Sequence, residues 1–184
     1  NTVFVGHPLL DLINTTKPVP QPKSGLKLGL FPGSRPALVK RHLPLFLSIV
    51  RRLQVFFPDL KIYIFRAPEI DEKLIQRMIN SKNINLTIVQ DEDYTYHQQL
   101  TVAISCSGTN TLENALFGIP TIVVYKTTWL FYYLARMLVR VKHISLANIV
   151  SGTKLLPEFI QGGADELRIF YITKNWLENQ NFRV

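Results

Sequence analysis

Five short apolar runs constrain this chain more than any other feature. They are Leu26–Phe31, Lys61–Phe65, Leu86–Val89, Thr101–Ile104 and Thr121–Tyr125. In most of them apolar side chains sit at successive positions rather than every second one. A strand of that kind is buried on both faces, which is the mark of a parallel sheet covered by helices. The intervening segments carry helical spacing. After Pro36, apolar residues fall at Leu38, Leu43, Leu45, Phe46, Ile49, Val50, Leu53 and Phe57, with Pro44 expected to kink or delay the helix. Residues 69–79 present Leu74, Ile75, Met78 and Ile79 on one face. A short helix is predicted over Tyr94–Leu100. Ser107-Gly108-Thr109 opens a helix to Phe117, capped by Gly118 and stopped by Pro120. Further helices are predicted over 129–139, over 158–161 behind Pro157, and from Asp165, with 144–157 irregular.

The fold class that follows is α/β: a Rossmann-like open parallel sheet of five or six strands with helices on both faces. In such sheets ligands bind beyond the C-terminal strand ends, where the strand order reverses.

With 184 residues, 47% of them apolar, the chain can bury a real core, which argues against disorder. Its single cysteine, Cys106, excludes an internal disulfide and a cysteine-rich zinc site. The net charge of +8 is uneven: residues 1–66 hold ten Lys/Arg against Asp11 and Asp59, and the remainder is balanced. A basic surface suits nucleic acid, phosphorylated metabolites or anionic lipid, and charge alone does not choose. The longest apolar stretches, Ile119–Tyr125 and Trp129–Leu134, fall far short of the roughly 20 residues a membrane span needs. Residues 14–25, with three prolines, read as a linker. The chain opens on Asn-Thr, and both ends are expected to be cut from something longer.

Two polar turns invite chemistry. Pro32-Gly33-Ser34-Arg35 joins a strand to a helix. Its amides and the Arg35 fork suit phosphate, although on the residues alone a plain βα turn is the simpler reading. It is neither a Walker A loop nor GxGxxG. Ser105–Glu113 is the strongest local feature. Either Ser107 or Thr109 merely caps a helix, or the free amides at Ser107, Gly108 and Thr109 hold a pyrophosphate while Glu113 accepts ribose hydroxyls. Cys106 reads as a packed small residue rather than a nucleophile. His7, His42, His97 and His143 make no metal-ligand spacing, and His97 reads as surface or helix cap. Residues 126–143 hold Lys126, Arg136, Arg140 and Lys142 without an acid, interleaved with Trp129, Phe131, Tyr132 and Tyr133. That stretch is either a membrane-docking surface or an internal helix with a basic rim. Asn148, Glu158 and Gln161 are polar islands that could converge on a cleft.

Together these residues resemble the bacterial lipid-A-disaccharide synthases, inverting glycosyltransferases of the two-domain GT-B type. The resemblance rests on Phe4-Val5-Gly6-His7-Pro8-Leu9, Pro32-Gly33-Ser34-Arg35, Ser107-Gly108-Thr109 with Leu112-Glu113, Ser145-Leu146 with Asn148, Pro157-Glu158 with Gln161, and the strand from Pro120 to Tyr125. These run in the family's order over residues 1 to about 163. Ala147 departs from the family's usual proline there, at a cost in turn stiffness only.

The resemblance implies a C-terminal, donor-binding half. Residues 1–25 would be the interdomain segment and 26–184 the nucleotide-sugar domain, with the N-terminal acceptor domain absent. It implies transfer of 2,3-diacylglucosamine from its UDP conjugate to 2,3-diacylglucosamine 1-phosphate, giving the tetraacyl disaccharide phosphate and UDP. Gly33, Ser34, Arg35, Ser107, Gly108, Thr109, Glu113, Asn148 and Gln161 would form the UDP-sugar site, and His7 would lie near the interdomain cleft. Trp129, Arg136 and Arg140 would meet the anionic cytoplasmic face of the bacterial inner membrane. No cofactor, metal or nucleic acid is implied, and a homodimer with exchange of C-terminal segments is compatible with the family. The rivals are another UDP-sugar enzyme of this fold, of the 2-epimerase or lipid-II glucosaminyltransferase type, and a basic binding domain without catalysis.

Overall fold

The computed structural model describes residues 25–80, 84–138 and 142–179, with the side chains of residues 135, 136 and 138 left aside. The proposed interdomain segment, His7 and Arg140 lie outside the described residues, as does the side chain of Arg136. In chain order the elements are β1 (Lys27–Phe31), α1 (Pro36–Phe56), β2 (Lys61–Phe65), α2 (Glu72–Asn80), β3 (Thr87–Val89), β4 (Val102–Ser105), α3 (Thr109–Leu116), β5 (Thr121–Tyr125), α4 (Trp129–Leu138), α5 (Leu146–Ser151), β6 (Glu158–Ile160) and α6 (Glu166–Glu178). Short 3-10 turns cover His97–Gln99 and Gln161–Gly163.

The strands form one six-stranded sheet in the order β3-β2-β1-β4-β5-β6, and every pairing is parallel. The order reverses between β1 and β4, so a crevice is expected at their C-terminal ends. Because side chains alternate across a sheet, Leu28, Leu30, Ile62, Ile64, Val102 and Ile104 face one layer with Val39, Leu43, Phe46, Ile75 and Ile169 from α1, α2 and α6. On the opposite face Phe31, Phe65, Ala103 and Phe117 form a second cluster. Val123, Ala147 and Leu156 form a third. Both faces are therefore dry, as the apolar runs predict. Gly29 leaves a notch in β1: a Cβ there would sit 2.5 Å from Leu100 Cδ1, so Leu100 packs directly onto the strand backbone.

Three sequence expectations are corrected. Helix α1 runs unbroken through Pro44. The proline removes the hydrogen bond to the Lys40 carbonyl, but both residues face solvent, which takes over that role. The supposedly irregular stretch after residue 144 contains α5, with Ser145 Oγ accepting the Asn148 N–H and Gly152 closing it at φ +68°. Glu158–Ile160 is an edge strand rather than a helix, paired with Val123–Tyr125. In addition, the Tyr94–Leu100 helix reduces to the single 3-10 turn at His97.

Candidate functional site

A cleft of about 430 Å³ opens where the strand order reverses, within the size range of small-molecule sites. Gly33 and Ser34 line it from the β1–α1 turn, and Ser107, Gly108, Thr109 and Glu113 from the β4–α3 turn. Gly33 has φ +115°, and a Cβ there would stand 3.0 Å from Leu38 Cβ and 3.1 Å from Cys106 Sγ. The turn thus needs glycine for both conformation and space.

Two helix N-termini meet here, and neither carries a side-chain cap or an acidic residue in its first turn. The simple capping reading of Ser107 and Thr109 does not hold. Ser107 Oγ instead donates to the Ile144 carbonyl at 2.7 Å, and Gly108 is the cap residue of α3. Uncapped amides at the positive ends of two helix dipoles are the kind of corner that suits an anion. Cys106 is buried beside it, and burial pushes its thiol up to about 12, so it is a packing group and not a thiolate.

Glu113 lies one turn into α3 with its carboxylate toward the same cleft. Burial raises its carboxyl above the ordinary range, while His97 pulls in the opposite direction. His97 corrects the sequence reading most sharply: it is buried, not a surface cap. Tyr94 takes φ +60° and the following 3-10 turn swings the imidazole inward. Its ring is enclosed by Phe31, Phe65, Tyr94 and Phe117. Nδ1 bonds Asp91 Oδ2 at 2.9 Å, and Nε2 lies 3.9 Å from Glu113 Oε2. An acid followed six residues later by histidine, just past a strand end, was the only signal available.

The structure does not bring every candidate to this cleft. Arg35 is the cap residue of α1, exposed beside Ser34 but outside the cleft lining. Asn148 is fully buried and builds a framework instead. Its Nδ2 donates to the Leu156 carbonyl and to Glu158 Oε1, both at 2.9 Å, and its Oδ1 accepts the Leu156 N–H at 2.8 Å. Glu158 in turn accepts the N–H groups of Ile144 and Ser145. Gln161, at φ +51°, pairs with both backbone groups of Thr127 and borders a separate hollow with Arg41, Lys126 and Trp129.

Helix α4 is not internal. Leu130 and Met137 are 73% and 80% exposed, and Trp129, Phe131, Tyr133 and Leu134 are exposed with them. Exposed apolar side chains this closely grouped are the kind that interaction surfaces use. Among the described residues no helix is long and apolar enough to cross a membrane.

A sequence profile of the family described as lipid-A-disaccharide synthetase matches residues 1–182. The lipid-A-disaccharide synthase of Geobacter sulfurreducens is 34% identical over 173 residues, covering 90% of this chain and 45% of that protein. Its counterpart in Syntrophus aciditrophicus is 37% identical over 174 residues, with the same coverage of 90% and 45%. The Nitrosococcus oceani protein is 33% identical over 190 residues, covering 98% and 48%. The chain spans about half the length of the curated relatives it matches. A pneumococcal O-GlcNAc transferase solved with UDP and GlcNAc covers 90% of this chain and 32% of its own at TM-score 0.48 and 16% identity, a likeness too loose to carry an argument.

Proposed function

Because the chain belongs to the lipid-A-disaccharide synthetase family, we propose that it is the donor-binding half of an inverting glycosyltransferase acting on UDP-2,3-diacylglucosamine. The observation that carries this reading is the pair of uncapped helix N-termini at the strand-order reversal, with Glu113 facing the same cleft. The 6-hydroxyl of 2,3-diacylglucosamine 1-phosphate attacks the anomeric carbon of the donor. The bond from that carbon to the diphosphate breaks, and its electron pair leaves with UDP. The hydroxyl proton passes to a base outside this chain's described cleft. The amides of Gly33, Ser34, Gly108 and Thr109 meet the charge that grows on the leaving diphosphate. Arg35, exposed beside Ser34 and outside the cleft lining, would have to swing its long stem in to meet the same oxygens, and Glu113 holds the ribose diol.

Helix α4 would rest on the membrane that holds both acylated sugars, at the cytoplasmic face of the inner membrane. Its exposed aromatic and aliphatic side chains enter the interface, and the acid-free run from Lys126 to Lys142 meets anionic headgroups.

Calorimetric titration with UDP tests the donor reading. One-to-one saturation, weakened in Arg35→Ala and Glu113→Ala, is the expected result. A well-folded chain that takes up no UDP would overturn it.

A further inference from the structure

We infer that His97, backed by Asp91, is a positioning residue for Glu113: one proton held between His97 Nε2 and the Glu113 carboxylate sets that carboxylate to receive a vicinal diol. The inference rests on the donor reading above, and the ligand class is a nucleoside diphosphate bearing a ribose.

The Asp91 end is fixed. Its Oδ2 accepts the His97 backbone N–H at 2.8 Å and bonds Nδ1 at 2.9 Å, while Oδ1 accepts the Tyr96 N–H at 3.0 Å. Burial works to raise the Asp91 carboxyl, but these bonds outweigh it and hold the group below its ordinary range. An ionised Asp91 accepts only, so Nδ1 carries a hydrogen and donates it. The ring cannot turn away, because Phe65 packs edge-on at 4.5 Å and Phe31 and Tyr94 close the sides.

All freedom is therefore left at Nε2. That atom is buried without a hydrogen-bond partner, and the carboxylate nearest it is Glu113 at 3.9 Å. This is too long for a hydrogen bond. With the ring held, a change of Glu113 rotamer is what would close the gap. A neutral imidazole would turn a bare lone pair toward a carboxylate, leaving both groups buried and opposed. One proton between them removes that conflict, on either side. A diol brings two O–H donors and selects the form with an ionised Glu113 and a protonated Nε2. In that form Nε2–H anchors one carboxylate oxygen while the remaining lone pairs face the ligand.

The affinity for UDP then falls as pH rises and the shared proton is lost. Other groups facing the ring and cleft are Tyr94, Cys106, Arg66 and Glu92. Burial pushes the Tyr94 phenol and the Cys106 thiol upward, so neither changes charge between neutral pH and about pH 9.

The test uses this chain, UDP as the probe, and His97→Gln, His97→Phe and Glu113→Gln. His97→Gln keeps an N–H donor near the Nε2 position but cannot titrate. It is expected to bind UDP with the alkaline loss removed, leaving only the ligand's own phosphate titration. His97→Phe fills the aromatic cage without a donor and is expected to bind about tenfold more weakly at pH 7, the loss of roughly one buried charged hydrogen bond. Glu113→Gln cannot share the proton and is likewise expected to bind UDP, if more weakly, without the alkaline loss. If His97→Gln or Glu113→Gln keeps the alkaline loss, the role of His97 is overturned and the donor reading stands. If the unsubstituted chain binds no UDP, the donor reading fails and the role of His97 toward a ribose fails with it.

Discussion

His42 Nε2 accepts the backbone N–H of Lys126 at 2.9 Å, while its Nδ1 bonds the Leu38 carbonyl at 2.9 Å. The fully buried imidazole thereby ties α1 to the end of β5, from which α4 departs. Both bonds require the neutral ring with hydrogen on Nδ1. Burial first, and then Arg41 and Lys126, lower its readiness to take a proton, against the opposing pull of the Leu38 carbonyl.

Stability should therefore decline in acid at this site. The folded chain binds the proton less readily than the unfolded one. The stabilisation is fully present above the ordinary histidine value of about 6.5 and drains away as pH falls below it. Urea midpoints measured from pH 8 to pH 5 should drop, and His42→Phe should flatten part of that drop. The same variant should be less stable at pH 8 by roughly 1–3 kcal/mol, since the half-buried Lys126 N–H loses its imidazole acceptor.

Asn148→Ala should separate framework from ligand contact. It removes the bonds to Leu156 and Glu158, and each buried group left unpaired costs roughly 1–3 kcal/mol. The melting temperature should fall by several degrees while the UDP affinity of the folded chain stays unchanged. A large loss of affinity at unchanged melting temperature would return Asn148 to the pocket.

Gly33→Ala should damage both. The added methyl meets Leu38 and Cys106, and the backbone sits at φ +115°. A cost above about 1 kcal/mol is expected from conformation alone. The anion corner moves with the turn, so UDP binding should weaken at least tenfold. Paired calorimetry and thermal melts check this.

On α4, replacing Phe131 and Tyr133 by serine should leave the melting temperature unchanged, because both side chains are exposed. Co-sedimentation with vesicles containing phosphatidylglycerol should fall sharply. Raising the salt concentration should weaken the binding of the unsubstituted chain through Lys126 and Lys142.

Much of the sheet was legible because short β-branched strands such as Thr121–Tyr125 are apolar at consecutive positions between turn residues, the pattern of a doubly covered sheet. Residues 158–160 escaped because three residues are too few to show a period, and Pro157 before them imitates a helix start. Helix α5 has only six residues, yet Ser145 and Gly152 marked both its ends. That Gly33, Ser34, Ser107, Gly108, Thr109 and Glu113 lie together on one cleft was legible because turn chemistry is local. His97 was not. Its burial depends on rings from Phe31, Phe65 and Phe117, which lie far from it in sequence and meet it only once the sheet has formed.

The notch at Gly29 has a reach beyond packing. Leu100 drops into it, and Leu100 ends the segment that carries Asp91, Tyr94 and His97. A methyl group on residue 29 would lever that wall of the cleft outward from behind. In a screen scored by nucleotide capture, position 29 would then pass for a contact residue although the sheet hides it from every ligand. Sensitivity to substitution maps here onto what props the wall as well as onto what touches the guest.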